Sequence, residues 1–92
     1  MTRLLLVEPN QTMCKVLVDD LTHEGYEVIQ ASNVASAVVV SRQSVPDLIL
    51  LDISATGLSG LRACSSLRDD FDRPIVVLTT RANETECIES LD

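Results

Sequence analysis

The chain has no tryptophan, one phenylalanine and one tyrosine. Its 46% hydrophobic content is therefore aliphatic, and a flavin would find few rings to stack on. Basic residues are scarce as well: 7 Lys and Arg stand against 14 Asp and Glu, for a formal charge of −7. That balance argues against nucleic acid as a direct ligand, because phosphate backbones are bound by clustered Lys and Arg. It suits a divalent cation or a basic partner better. No apolar run approaches the roughly 20 residues that cross a bilayer, and Met1-Thr2-Arg3 leads into only four apolar residues. No membrane association is expected, and a cytoplasmic location is. The cysteines, Cys14, Cys64 and Cys87, are odd in number, widely spaced and without a Cys-x-x-Cys pair. They read as small buried hydrophobes in a reducing compartment. Gly57 and Gly60 are too few for a loop that cradles phosphate, and no Walker-type Gly-Lys-Ser follows either. At 92 residues the chain has room for one domain, spanning 1–92.

Three continuous apolar runs stand out against this background. Pro46-Asp47-Leu48-Ile49-Leu50-Leu51-Asp52 carries four apolar residues in a row between two acids. A strand with one wet face would alternate, so the pattern predicts a central strand covered on both faces. Leu4-Leu5-Leu6-Val7 and Pro74-Ile75-Val76-Val77-Leu78 are runs of the same kind. Between them the period changes. Cys14, Leu17, Val18 and Leu21 form an i, i+3, i+4, i+7 stripe that predicts a helix from Gln11, stopped at Gly25. Tyr26 to Gln30 alternates imperfectly, as an edge strand does. Ser32 or Asn33 can cap a second helix whose apolar positions are Val34, Ala37, Val38 and, just past its end, Val45. A third helix turns Leu61, Cys64, Leu67 and Phe71 inward, and Asn83 with Glu86 offers a capping box for a fourth. Strand and helix thus alternate four times. Such alternation predicts a parallel α/β sheet with right-handed crossovers and helices on both faces.

Three strand ends carry the chemistry: Glu8, Asp52 and Thr79. If the first and third strands are neighbours, the chain reverses its winding between them and a crevice opens at their C-terminal ends. Two carboxylates meeting there repel unless a cation joins them or one is protonated. Mg²⁺ takes oxygen ligands in an octahedron and keeps several waters, so one or two carboxylates and a backbone carbonyl suffice. A carboxylate in such a site is also a nucleophile toward phosphorus. Asp19, Asp20, Asp69, Asp70 and Asp72 read instead as solvated faces, and His23 as a surface residue near a helix C-terminus.

On these residues the chain resembles the response-regulator receiver domain, with its CheY-like, flavodoxin-type doubly wound parallel sheet. The resemblance covers essentially the whole chain. It rests on Leu4 to Glu8, Pro46 to Asp52, the loop from Ile53 to Gly60, and Pro74 to Thr79. It implies a strand order of 2-1-3-4, with the family's fifth strand and helix missing from these 92 residues. It also implies that Asp52 is the phosphoacceptor of a histidine kinase and that Thr79 is the switch hydroxyl. Glu8, Asp52 and the backbone carbonyl of Ser54 would hold Mg²⁺. Pro9 stands where the family usually has a second acid, which implies a weakened Mg²⁺ site. The lysine that contacts the phosphoryl group would lie on the missing fifth strand, and Lys15, on the first helix, is not its equivalent. The partners implied are a sensor histidine kinase and an effector domain, often DNA-binding, and the chain itself would be a signalling module rather than an enzyme. A fourth strand left uncovered would favour self-association. The competing expectation is a phosphorylation-independent interaction or dimerisation module with a degenerate metal site.

Overall fold

The computed structural model describes residues 1–52, 60–69 and 71–78. Seven elements follow in order: β1 (Arg3–Val7), α1 (Gln11–His23), β2 (Glu27–Ala31), α2 (Val34–Ser44), β3 (Leu48–Asp52), α3 (Gly60–Arg68) and β4 (Ile75–Leu78). The four strands form one parallel sheet in the order β2-β1-β3-β4. The order matches the one expected. It places the winding reversal between β1 and β3, because α1 carries the chain one way from β1 and the later crossovers carry it back the other.

Helix boundaries follow local chemistry. Asn10 caps α1, its side chain accepting from the N–H of Met13, and Asn33 caps α2 by accepting from Ser36. Gly25 ends α1 with φ at +98°, which glycine alone adopts without penalty. The end of α2 is less comfortable. Val45 sits there with φ 46° and ψ 66°, a left-handed conformation that a β-branched residue disfavours. Its side chain is 58% exposed. The expected inward role of Val45 is therefore corrected: the αL turn swings it away from the core, and Val40 packs against the core instead.

Leu5, Val7, Ile49, Leu51, Ile75 and Val77 alternate along their strands and meet Ala37 of α2, Leu67 of α3 and Phe71, which lies past the end of α3 rather than on it. This is the main core. Leu5, Ile49, Leu51 and Ile75 are fully buried, and each contributes about 1.5–3 kcal/mol of apolar transfer. On the opposite face Leu4 and Leu6 are buried, whereas Leu48 and Leu50 are only half-buried. Among the described residues, the expected closure of the third strand is complete on one face only. Among the described residues α1 packs chiefly against β2. It leaves a groove of about 370 Å³ floored by Leu4, Leu48 and Leu50 and flanked by Leu21 and Tyr26.

The N-terminal end of the sheet is tied by polar contacts around Asp47. Its carboxylate accepts from the Arg3 N–H at 2.8 Å and from Arg73 at 2.9 Å, and its own N–H donates to the Arg3 carbonyl at 2.8 Å. Arg3 in turn donates to Glu27 at 2.7 Å and to the Ser44 carbonyl at 2.6 Å. β1, β2, β3 and the end of α2 are so held in one register. No helix among the described residues is long and apolar enough to cross a membrane.

Candidate functional site: a carboxylate pair at the winding reversal

Parallel pairing of β1 with β3 sets Val7 opposite Leu51. The residue after Val7 and the last residue of β3 are both acids, so Glu8 and Asp52 emerge side by side at the C-terminal end of the sheet. Val7 and Leu51 point into the α2/α3 core, and by strand alternation the two acids face the α1 side. The Glu8 N–H donates to the Ala31 carbonyl at 3.0 Å, which fixes its main chain to the end of β2. Its side chain is only 4% exposed, an unusual depth for a glutamate.

That depth has an electrostatic cost. Burial pushes the Glu8 carboxyl up to about 7, and a hydrogen bond to Asp52 and the charge of Asp52 push the same way. The Asn10 N–H, donating to Glu8 Oε2 at 3.1 Å, pulls against them. In the ion-free molecule the pair therefore shares a proton near neutrality. That is how two adjacent carboxylates avoid a double negative charge in a partly dry site.

Both acids expected at the site are thus brought together. Ser54 and Thr79, the other two expected site residues, lie outside the described residues, as do Asp70 and the fourth helix with Asn83 and Glu86. Asn10 was not singled out by sequence. The signal was present, an Asn directly before Gln11, where the helix is expected to begin. Asp47 is a further miss, since its acid beside Pro46 gives no sign of the arginines it will meet. Cys14 is buried, as expected, and its thiol donates to Gln30 Oε1 at 3.4 Å. Burial and the Glu8 charge hold the thiol above its ordinary value, so it stays protonated. Lys15, Cys14, Gln11 and Pro9 line a groove of about 410 Å³ beside Glu8. Asp19, Asp20, Asp69 and Asp72 are exposed, as their reading as solvated faces requires.

The donor set fits a hard divalent cation. Among the described residues no cluster of three or more His, Cys, Asp or Glu assembles. A cation would therefore take two carboxylates and complete its shell with backbone oxygen and water, as Mg²⁺ does and softer metals do not.

The model of the response regulator receiver domain family matches residues 4–92. PilH of Pseudomonas aeruginosa is 34% identical over 89 residues, covering 94% of this chain and 74% of that protein. A probable transcriptional regulator of Porphyra purpurea is 34% identical over 90 residues, and this chain spans 37% of its length. Among solved structures, the response regulator TrrA of Thermotoga maritima, in complex with Mg²⁺-BeF, superimposes with a TM-score of 0.82 at 31% identity. That match covers 98% of this chain and 79% of the other. The BeF3-activated N-terminal receiver domain of Klebsiella pneumoniae RstA gives a TM-score of 0.81 at 29% identity, covering 98% and 77%. With a 2-1-3-4 parallel sheet, two acids at its winding reversal and these matches across its length, the chain belongs to the response-regulator receiver domain family, in the CheY-like fold.

Proposed function

We propose that the protein is the phosphoryl-accepting module of a two-component pathway, with Asp52 as the residue modified. A carboxylate oxygen of Asp52 attacks phosphorus in the phosphohistidine of a sensor kinase. A P–O bond forms, the P–N bond breaks, and the imidazole keeps the electron pair. The observation that carries this reading is the pairing of Asp52 with a buried Glu8 in adjacent strands. Glu8, Asp52 and the Ser54 carbonyl would hold Mg²⁺, which when bound neutralises the incoming phosphoryl oxygens. The TrrA complex with Mg²⁺-BeF supports the same ion for this chain. Thr79 would hydrogen-bond the transferred group and relay its arrival. On this reading the chain is the acceptor in the kinase's reaction and turns over no substrate of its own. Pro9, in place of a second acid, leaves the site with fewer carboxylates, so its Mg²⁺ affinity is weakened.

The output is proposed to be a DNA-binding effector domain, because the relatives include transcriptional regulators and a DNA-binding response regulator, MtrA, of Mycolicibacterium smegmatis. This function belongs in the cytoplasm. Self-association through the outer edge of β4, whose partner among the described residues is β3, belongs to the same reading. Sedimentation across a concentration range checks it, and a constant monomer mass refutes it. For the central claim, incubation with phosphoramidate and Mg²⁺ should add one phosphate, and Asp52→Asn should add none. A wild-type protein whose mass never changes, or an Asp52→Asn variant phosphorylated equally well, overturns the assignment.

A further inference from the structure

The turn between β1 and α1 does two jobs with one residue. Glu8 is anchored through its own N–H to the end of β2, but its side chain has three rotatable bonds and needs a second restraint to face Asp52. That restraint is the main-chain N–H of Asn10, donating to Glu8 Oε2 at 3.1 Å. Asn10 is itself held from the helix side. Its Oδ1 accepts from the Met13 N–H at 2.9 Å, and its carbonyl accepts from the Cys14 N–H at 2.8 Å. Cys14 is buried and bonded to Gln30 of β2, so the first turn of α1 is fastened to the sheet. Between the two anchors stands Pro9, whose ring locks φ and removes a free rotation.

We propose that Asn10 is a positioning residue for the cation site: its main-chain N–H aims the Glu8 carboxylate at Asp52, and its side chain, by capping α1, holds that N–H in place. The inference rests on the Mg²⁺ reading above. With Pro9 in place of an acid, Glu8 must deliver its oxygen without help from the next side chain. A rigid turn then supplies by orientation what the site lacks in charge, as partners one step removed from a metal commonly do.

The test titrates Mg²⁺ into the wild type, Asn10→Ala and Asn10→Ser at 10 °C, where folded protein dominates, following amide ¹H–¹⁵N shifts. Loss of the cap should weaken Mg²⁺ binding about 10-fold, the low end for such partners because the N–H itself survives. Serine also caps helices and should restore most of the affinity. The amide proton at position 10, shifted downfield by its carboxylate acceptor in the wild type, should move upfield in Asn10→Ala and return in Asn10→Ser. A residue serving only helix stability would lower the melting temperature and leave the affinity of the folded protein unchanged, and that result overturns the proposal. Should Asn10→Ala fail to fold, Pro9→Ala frees the turn without touching the cap. It too should weaken binding, and unaltered affinity would count equally against the idea. A wild type without any saturable Mg²⁺ response sinks the cation reading and this inference together. A wild-type response matched by Asn10→Ala sinks the positioning role alone.

Discussion

Replacing Glu8 by Gln should stabilise the ion-free protein at pH 8 and leave it unchanged at pH 4.5. The Glu8 carboxyl is raised from 4.5 to about 7 in the folded state, chiefly by burial. Below pH 4.5 it is protonated whether the chain is folded or not, and its contribution is fully present. Between 4.5 and 7 the folded state binds more protons than the unfolded one, so stability falls as pH rises, and above 7 the contribution is gone. At about 1.36 kcal/mol per pH unit the whole loss is roughly 3 kcal/mol, and it belongs to the Glu8/Asp52 pair rather than to either acid. Glutamine stays neutral throughout, and its amide can still donate to Asp52. Thermal melts in chelator across pH 4.5–8 should therefore give coincident curves at the acid end. At pH 8 Glu8→Gln should melt at least about 5 °C higher, since 1 kcal/mol moves Tm by about 4–8 °C in a domain of this size. Added Mg²⁺ should raise the wild type by mass action and the variant far less. Wild-type and Glu8→Gln curves that run parallel across this window would refute the account of a buried, proton-sharing pair.

Three further outcomes follow from the packing. Val45→Asn should stabilise by about 1 kcal/mol, because asparagine tolerates the left-handed backbone that valine disfavours and the lost side chain is largely solvent-exposed; an unshifted urea midpoint contradicts this. Ile49→Ala, at a fully buried site of the central strand, should cost about 2–5 kcal/mol by equilibrium urea denaturation. A loss below 1 kcal/mol would mean that the core collapses around the cavity. Asp47→Ala should cost about 1 kcal/mol, mainly through the Arg3 main-chain hydrogen bond. The Arg73 pair, roughly half exposed on both sides, adds little and fades with salt; a strongly salt-dependent loss would reverse that ranking.

Much of this was written along the chain. Leu4 to Val7, Leu48 to Leu51 and Ile75 to Val77 are apolar without alternation, the pattern of strands in a parallel sheet with helices beside it. Asn33 and Gly25 marked helix ends through short-range chemistry, which needs nothing from the rest of the molecule. The acids Glu8 and Asp52 could each be placed at the end of a strand for the same reason. Their meeting is of another kind. They are 44 residues apart, and only the pairing of Val7 with Leu51 sets one beside the other. The burial that raises Glu8 to about 7 arises from that same pairing together with the anchor to Ala31. The outward swing of Val45, the half-covered Leu48 and Leu50, and the arginines gathered on Asp47 were decided at that level too. Hydrophobic period and caps are local and readable residue by residue, whereas register, burial and shared protons depend on which distant segments come to lie side by side.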